Sequence, residues 1–176
     1  GLRVTDVADV TGVPEVLDGR VKTLHPAIHA GVLARRDRAD DLAALESHGY
    51  TPIDLVVCNL YPFSEAAQEP DLSAEALAEY IDIGGPTLLR AAAKNHAFVG
   101  AVTSPEQYND VADELEANAG ALSPPTRRAL AEAAFAHTAA YDQQIHAHLS
   151  AETDAPDADT APLPNSFQTS LPQAQS

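Results

Sequence analysis

Two short apolar runs, Ile53-Asp54-Leu55-Val56-Val57-Cys58 and Ala97-Phe98-Val99-Gly100-Ala101-Val102, have the length and composition of buried strands. Stretches with apolar residues at helical spacing flank each of them. That order predicts an α/β fold with a mostly parallel sheet. Ser104-Pro105-Glu106-Gln107 reads as a capping box with proline at the first helical position, followed by Tyr108, Val111 and Leu115 on one face and closed by Gly120. Ser123-Pro124 opens a second helix, along which Leu130, Ala134, His137, Tyr141, Ile145 and Leu149 keep the helical period. Arg38 to His48 predicts a shorter amphipathic helix stopped by Gly49, and Gly84-Gly85-Pro86-Thr87 the start of one running to about Lys94. There is no internal repeat.

Composition changes this picture at the ends of the chain. With 176 residues, 45% of them hydrophobic, the sequence holds enough apolar surface for one core. From about residue 151 the character shifts: Glu152, Asp154, Asp157 and Asp159 lack basic partners, and Pro156, Pro162, Pro164 and Pro172 interrupt any helix. Residues 1–150 are therefore expected to form the folded unit, and 151–176 an acidic tail or linker. The chain has no methionine and opens on Gly1-Leu2-Arg3-Val4 as if in mid-domain, the expectation for a fragment.

Charge narrows the partners. Against 26 acids there are 10 bases, a formal net charge of −16, and the basic residues cluster only at Arg35, Arg36 and Arg38. Long-range repulsion disfavours nucleic acid and anionic membranes as partners. No apolar run approaches the roughly 20 residues of a membrane helix, and no signal-like segment opens the chain, so a cytoplasmic protein is expected. Cys58 has no second thiol for a disulfide and belongs to no spaced set that would hold zinc. Eight arginines accompany only two lysines, Lys22 and Lys94; an acidic, lysine-poor chain suits a high-salt cytoplasm and equally a GC-rich genome.

Three segments carry candidate chemistry. Gly19-Arg20-Val21-Lys22-Thr23-Leu24-His25-Pro26 offers two cations, a hydroxyl and backbone amides ahead of a helix, the groups a phosphate ester needs; a solvated turn is the competing reading. His25 and His29 have a metal-compatible spacing, but without a third ligand nearby they are expected to pack or cap. Val56-Val57-Cys58-Asn59-Leu60-Tyr61-Pro62-Phe63 carries a strand into a polar amide and a phenol, at the strand end where parallel sheets bind ligands. In Tyr80-Ile81-Asp82-Ile83-Gly84-Gly85, an acid between isoleucines needs a partner, and glycines let backbone approach a ligand closely. Arg90 and Lys94, one turn apart, also suit a plain helix end.

Gly-Arg-Val-Lys-Thr-Leu-His-Pro (19–26), Cys-Asn-Leu-Tyr-Pro-Phe (58–63) and Ile-Asp-Ile-Gly-Gly-Pro-Thr-Leu-Leu-Arg-Ala-Ala-Ala-Lys-Asn-His (81–96) resemble the inosine monophosphate (IMP) cyclohydrolase domain of the bifunctional purine-biosynthesis family. The resemblance runs from about Val4 to Leu149. It implies a methylglyoxal-synthase-like fold and closure of the purine ring of 5-formamidoimidazole-4-carboxamide ribotide, giving IMP and water. It also implies that Arg20, Val21, Lys22 and Thr23 bind the nucleotide, with Cys58, Asn59, Asp82 and Ile83 on the base side. Lys94 matches the family's catalytic lysine, with Lys22, Tyr61 and Asp82 assisting.

The resemblance implies no metal or other cofactor for ring closure. 10-Formyltetrahydrofolate serves only the transformylase domain that the family carries beyond a linker. A first strand and a Ser-Thr-Gly-Gly-Thr loop, both contacting phosphate, would precede Gly1. Without them the chain is expected to bind nucleotide weakly and to expose a sheet edge that favours a homodimer. A regulatory nucleotide-binding module of the same fold is the alternative, and a fragment that keeps only the fold is a third.

Overall fold

The computed structural model describes residues 3–152. Most of the expected tail therefore lies outside the described residues. In chain order the helices are α1 (Val7–Thr11), α2 (Pro26–Leu33), α3 (Ala39–His48), α4 (Phe63–Ala66), α5 (Ala74–Ala78), α6 (Gly84–Lys94), α7 (Tyr108–Ala117) and α8 (Pro124–Glu152). Strand β1 (Leu55–Val57) lies between α3 and α4, and β2 (Gly100–Val102) between α6 and α7. The strands pair in parallel, with Leu55 opposite Gly100 and Val57 opposite Val102.

Both strands are shorter than the apolar runs that announce them, because the ends of each run bond elsewhere. The Ile53 N–H donates to the Gly31 carbonyl of α2 at 3.0 Å, and Phe98 and Val99 donate to the Asn95 carbonyl in the turn that leaves α6. Between them the ladder extends one bond beyond each end of the paired strands, from the Asp54 carbonyl to the Cys58 N–H. Helix ends follow the sequence closely: Gly49 closes α3 in the left-handed conformation at φ 68°. Gln107 Oε1 accepts the N–H groups of Thr103 and Ser104 where a turn of 3-10 helix leads into α7.

The core forms where α6 lies between the sheet, α2 and α8. Leu89, Ala91, Ala92 and Ala93 of α6 pack with Ala131 and Ala134 of α8, Val32 of α2, and Val56, Val99 and Ala101 around the strands. Alanines on facing helices allow a close approach that larger side chains would block, at a cost of about 1–3 kcal/mol for overpacking. Asn95, 7% exposed, bonds through Nδ2 to the Val32 and Ala34 carbonyls at 2.8 and 3.0 Å, which satisfies the last turn of α2. Along α8, Leu130, Ala134 and Tyr141 are buried, whereas Leu149 is 51% exposed. The helical stripe outruns the core it faces.

The arginine cluster is absorbed by the fold. Arg35 pairs with Asp41 at 2.8 Å, and Arg36 donates to the Gly31 and Ile53 carbonyls at 3.1 and 2.9 Å. Among the described residues no helix is long and apolar enough to cross a membrane.

At the junction of α7 and α8 the Glu114 carboxylate accepts the Ser123 N–H at 2.7 Å and the Thr126 hydroxyl at 2.6 Å. The Thr126 hydroxyl, then the Ser123 amide, hold this carboxyl below its ordinary value of 4.5. A depressed carboxyl favours the folded state above that value, and the contribution is lost as pH falls through the folded pKa. Glu114→Gln is therefore expected to lower Tm at pH 7, with the gap to the parent protein narrowing as pH drops below about 4.5. A gap independent of pH in thermal melts would show that the charge contributes nothing.

Candidate functional site

Beyond the carboxyl ends of the strands, a cavity of about 600 Å³ opens between the loop before α2, the turn after β1 and the start of α6. Its size is within the range of small-molecule sites. The first wall comes from residues 18–23, and at its start Leu17, Asp18 and Gly19 all have positive φ, at 51°, 52° and 85°. For leucine that conformation costs about 1–2 kcal/mol, and it curls the chain so that Arg20, Lys22 and Thr23 line the cavity. The sequence carried no signal for this bend except Gly19.

Both cations of that wall hold carboxylates. Arg20 forms a two-point pair with Glu79, the residue just after α5, and Lys22 lies 3.3 Å from Glu15. All four side chains are at least 40% exposed. Such pairs contribute about 0–1 kcal/mol, so they hold the two cations only weakly.

The second wall is the turn after β1. Cys58, Asn59 and Tyr61 line the cavity, and the Asn59 amide meets the Tyr108 hydroxyl of α7 at 3.0 Å. Tyr108 was expected to pack on the buried face of its helix; instead it is 38% exposed and bonds across to Asn59. Burial, and then the nearby Asp82 charge, push the Cys58 thiol above its ordinary pKa, so it is no ready nucleophile.

Asp82, Ile83, Gly84 and Gly85 close the third side. Asp82 Oδ1 accepts the Gly85 N–H at 2.8 Å, answering the need for a partner that its sequence context raised. A side chain at either glycine would crowd the neighbouring side chains. A Cβ on Gly84 would come 2.7 Å from Thr23 Oγ1, and one on Gly85 2.7 Å from Leu60 Cδ2, with Asp82 Oδ2 closer still.

Two of the candidate residues stand apart. Val21 faces a smaller hollow of about 120 Å³ shared with Lys22 and His25. Lys94 ends α6, whose first residues line the cavity. Ten residues at about 1.5 Å each separate Gly84 from Lys94 by about 15 Å. Nine steps of about 100° from Gly85 also turn Lys94 onto the opposite face. The exposed Lys94 is not part of the cavity wall.

The helix that presents its N-terminus to the cavity is α6, not α2. The first free amide of α2, on Ala27, is taken by His25 Nδ1 at 3.1 Å, so His25 caps its helix. His29 Nε2 is buried without a hydrogen-bond partner, and burial lowers its pKa. Among the described residues, no group of three His, Cys, Asp or Glu side chains could hold a metal ion. Sequence reasoning passed over Glu15, Glu79 and Tyr108, whose partners are 7, 59 and 49 residues away.

A parallel strand pair flanked by helices, with a polar cavity at its carboxyl edge, defines an α/β domain, and a family model described as MGS-like domain matches residues 1–87. A second model, the AICARFT/IMPCHase bienzyme, matches residues 92–176. The bifunctional purine biosynthesis protein PurH of Synechococcus sp. (strain WH7803) is 57% identical over 145 residues, which is 82% of this chain and 28% of that protein. PurH of Neisseria meningitidis serogroup A / serotype 4A is 52% identical over 154 residues, 88% of this chain and 29% of that protein. Among solved structures, the crystal structure of ForH aligns with a TM-score of 0.70 at 38% identity, over 81% of this chain and 74% of that one. The chain belongs to the AICARFT/IMPCHase bienzyme family and spans less than a third of the length of these PurH relatives.

Proposed function

We propose that the cavity is an IMP cyclohydrolase site, which closes the purine ring of 5-formamidoimidazole-4-carboxamide ribotide with loss of water. The observation that carries this reading is the convergence of Arg20, Lys22, Thr23, Cys58, Asn59, Tyr61, Asp82 and Ile83, from three separate segments, on one cavity of nucleotide size. Arg20 and Thr23 take the ester phosphate, with Val21 contributing through its backbone, and Asn59 and Ile83 meet the base. The carboxamide nitrogen attacks the formyl carbon of the same molecule. A C–N bond forms and the formyl oxygen gains negative charge; that oxygen takes up two protons, the formamido nitrogen gives up its hydrogen, and the C–O bond breaks as a ring C=N bond forms, releasing water. Holding the two substituents together supplies much of the acceleration, because the reaction is already intramolecular.

Asp82 accepts the amide proton, the Lys22 ammonium stabilises the oxyanion, and the Tyr61 phenol relays a proton to the departing oxygen. No oxidation state changes, so no redox cofactor enters. The resemblance assigns a catalytic amine to Lys94, but that residue lies outside the wall of this cavity and no step above passes through it. The formyl transfer that precedes ring closure is assigned to the transformylase half of the longer protein, in keeping with the bifunctional name of the relatives.

The test is conversion of the formamido ribotide to IMP by this chain, followed by ultraviolet absorbance. Arg20→Ala is expected to raise KM about 10-fold with kcat little changed, as loss of a phosphate contact predicts. An unchanged KM would remove Arg20 from the phosphate site. Tight nucleotide binding without turnover would favour the regulatory module.

A further inference from the structure

We propose that Tyr141, on the buried face of α8, is a positioning residue for Asp82. The catalytic part of this inference rests on the cyclohydrolase reading above; the structural part rests on geometry alone. Tyr141 is 5% exposed and packs with Phe63, Ala66 and Leu77 behind the cavity. A phenol buried in an apolar cluster needs hydrogen-bond partners, and this one has two. Its hydroxyl donates to the Tyr80 carbonyl at 2.7 Å and accepts the Asp82 N–H at 2.8 Å.

One oxygen thus ties the backbone on both sides of Ile81. This segment lies between α5 and α6; the Tyr80 and Ile81 N–H groups donate back to the Leu77 and Ala78 carbonyls, and the Asp82 N–H goes to the phenol. The path continues through the Asp82 carboxylate to the Gly85 N–H at 2.8 Å. The phenol, the Asp82 backbone and the first turn of α6 form one connected network that sets where the carboxylate points. Burial raises the pKa of Tyr141, so the hydroxyl stays a donor at neutral pH. A packing role alone predicts that phenylalanine, which fills nearly the same volume, leaves the site unaltered.

The experiment compares the full chain with Tyr141→Phe, Asp82→Asn and the double variant, by amide hydrogen exchange without ligand and by steady-state ring closure. In Tyr141→Phe the amides of Asp82 and Gly85 are expected to exchange about 10-fold faster while those of β2 keep their rates. Turnover is expected to fall about 10-fold in kcat with KM changed less than about two-fold. The double variant is expected to be no slower than Asp82→Asn alone, as for residues acting through one another. Unchanged exchange at Asp82 and Gly85, or fully multiplicative losses in the double variant, overturns the proposal. If a version extended at its N-terminus binds IMP but closes no ring, the cyclohydrolase reading fails, and the exchange measurement alone decides whether Tyr141 holds Asp82.

Discussion

Asp82→Asn is expected to slow ring closure about 100-fold or more, the usual scale for loss of a positioned general base, with little change in fold. The carboxylate lines the cavity and accepts the Gly85 N–H through Oδ1. Asparagine has nearly the same shape, and its carbonyl can still accept that hydrogen bond, so the first turn of α6 stays capped. What it lacks is the ability to take a proton from the attacking carboxamide. The measurement is kcat by ultraviolet absorbance beside a thermal melt. A loss below about three-fold would reduce Asp82 to a helix cap and move the base elsewhere.

The two lysines are expected to separate cleanly. Lys22→Ala should weaken IMP binding and also cut turnover about 100-fold, because Lys22 lines the cavity and its ammonium is assigned to the oxyanion. Lys94→Ala is expected to abolish turnover, as the family resemblance implies, while leaving the Kd for IMP unchanged. The second half of that expectation comes from geometry: Lys94 is exposed at the far end of α6 and belongs to no part of the wall that meets the nucleotide. Calorimetric titration with IMP and single-turnover rates on the same preparations distinguish these outcomes. Retained turnover in Lys94→Ala would remove Lys94 from the mechanism, and weakened binding would show that the helix end reaches the ligand after all.

Much of the site was legible because its polar segments sit at the ends of predicted elements. Asn59 and Tyr61 follow a strand, where a parallel sheet presents ligands, and Asp82 precedes a glycine-led helix, whose backbone a ligand can approach closely. The wall before α2 was legible as chemistry but not as shape, since the left-handed bend at Leu17 and Asp18 breaks the preference of both residues. Tyr141 was read only as a member of a core stripe. A tyrosine in such a stripe signals a hydrogen bond, but its partners, 59 and 61 residues away, have no local mark.

By itself the sequence determined several helix ends, together with the parallel α/β class. Such signals are local: the Ser104 to Gln107 cap and the Gly49 stop act within one turn of chain. Tertiary structure alone decided which polar groups share a cavity. Arg20 meets Glu79 and Asn59 meets Tyr108. The direction of a helical side chain follows from which face is buried, and the alanine face of α6 is set by α8, packed from more than 30 residues further along the chain.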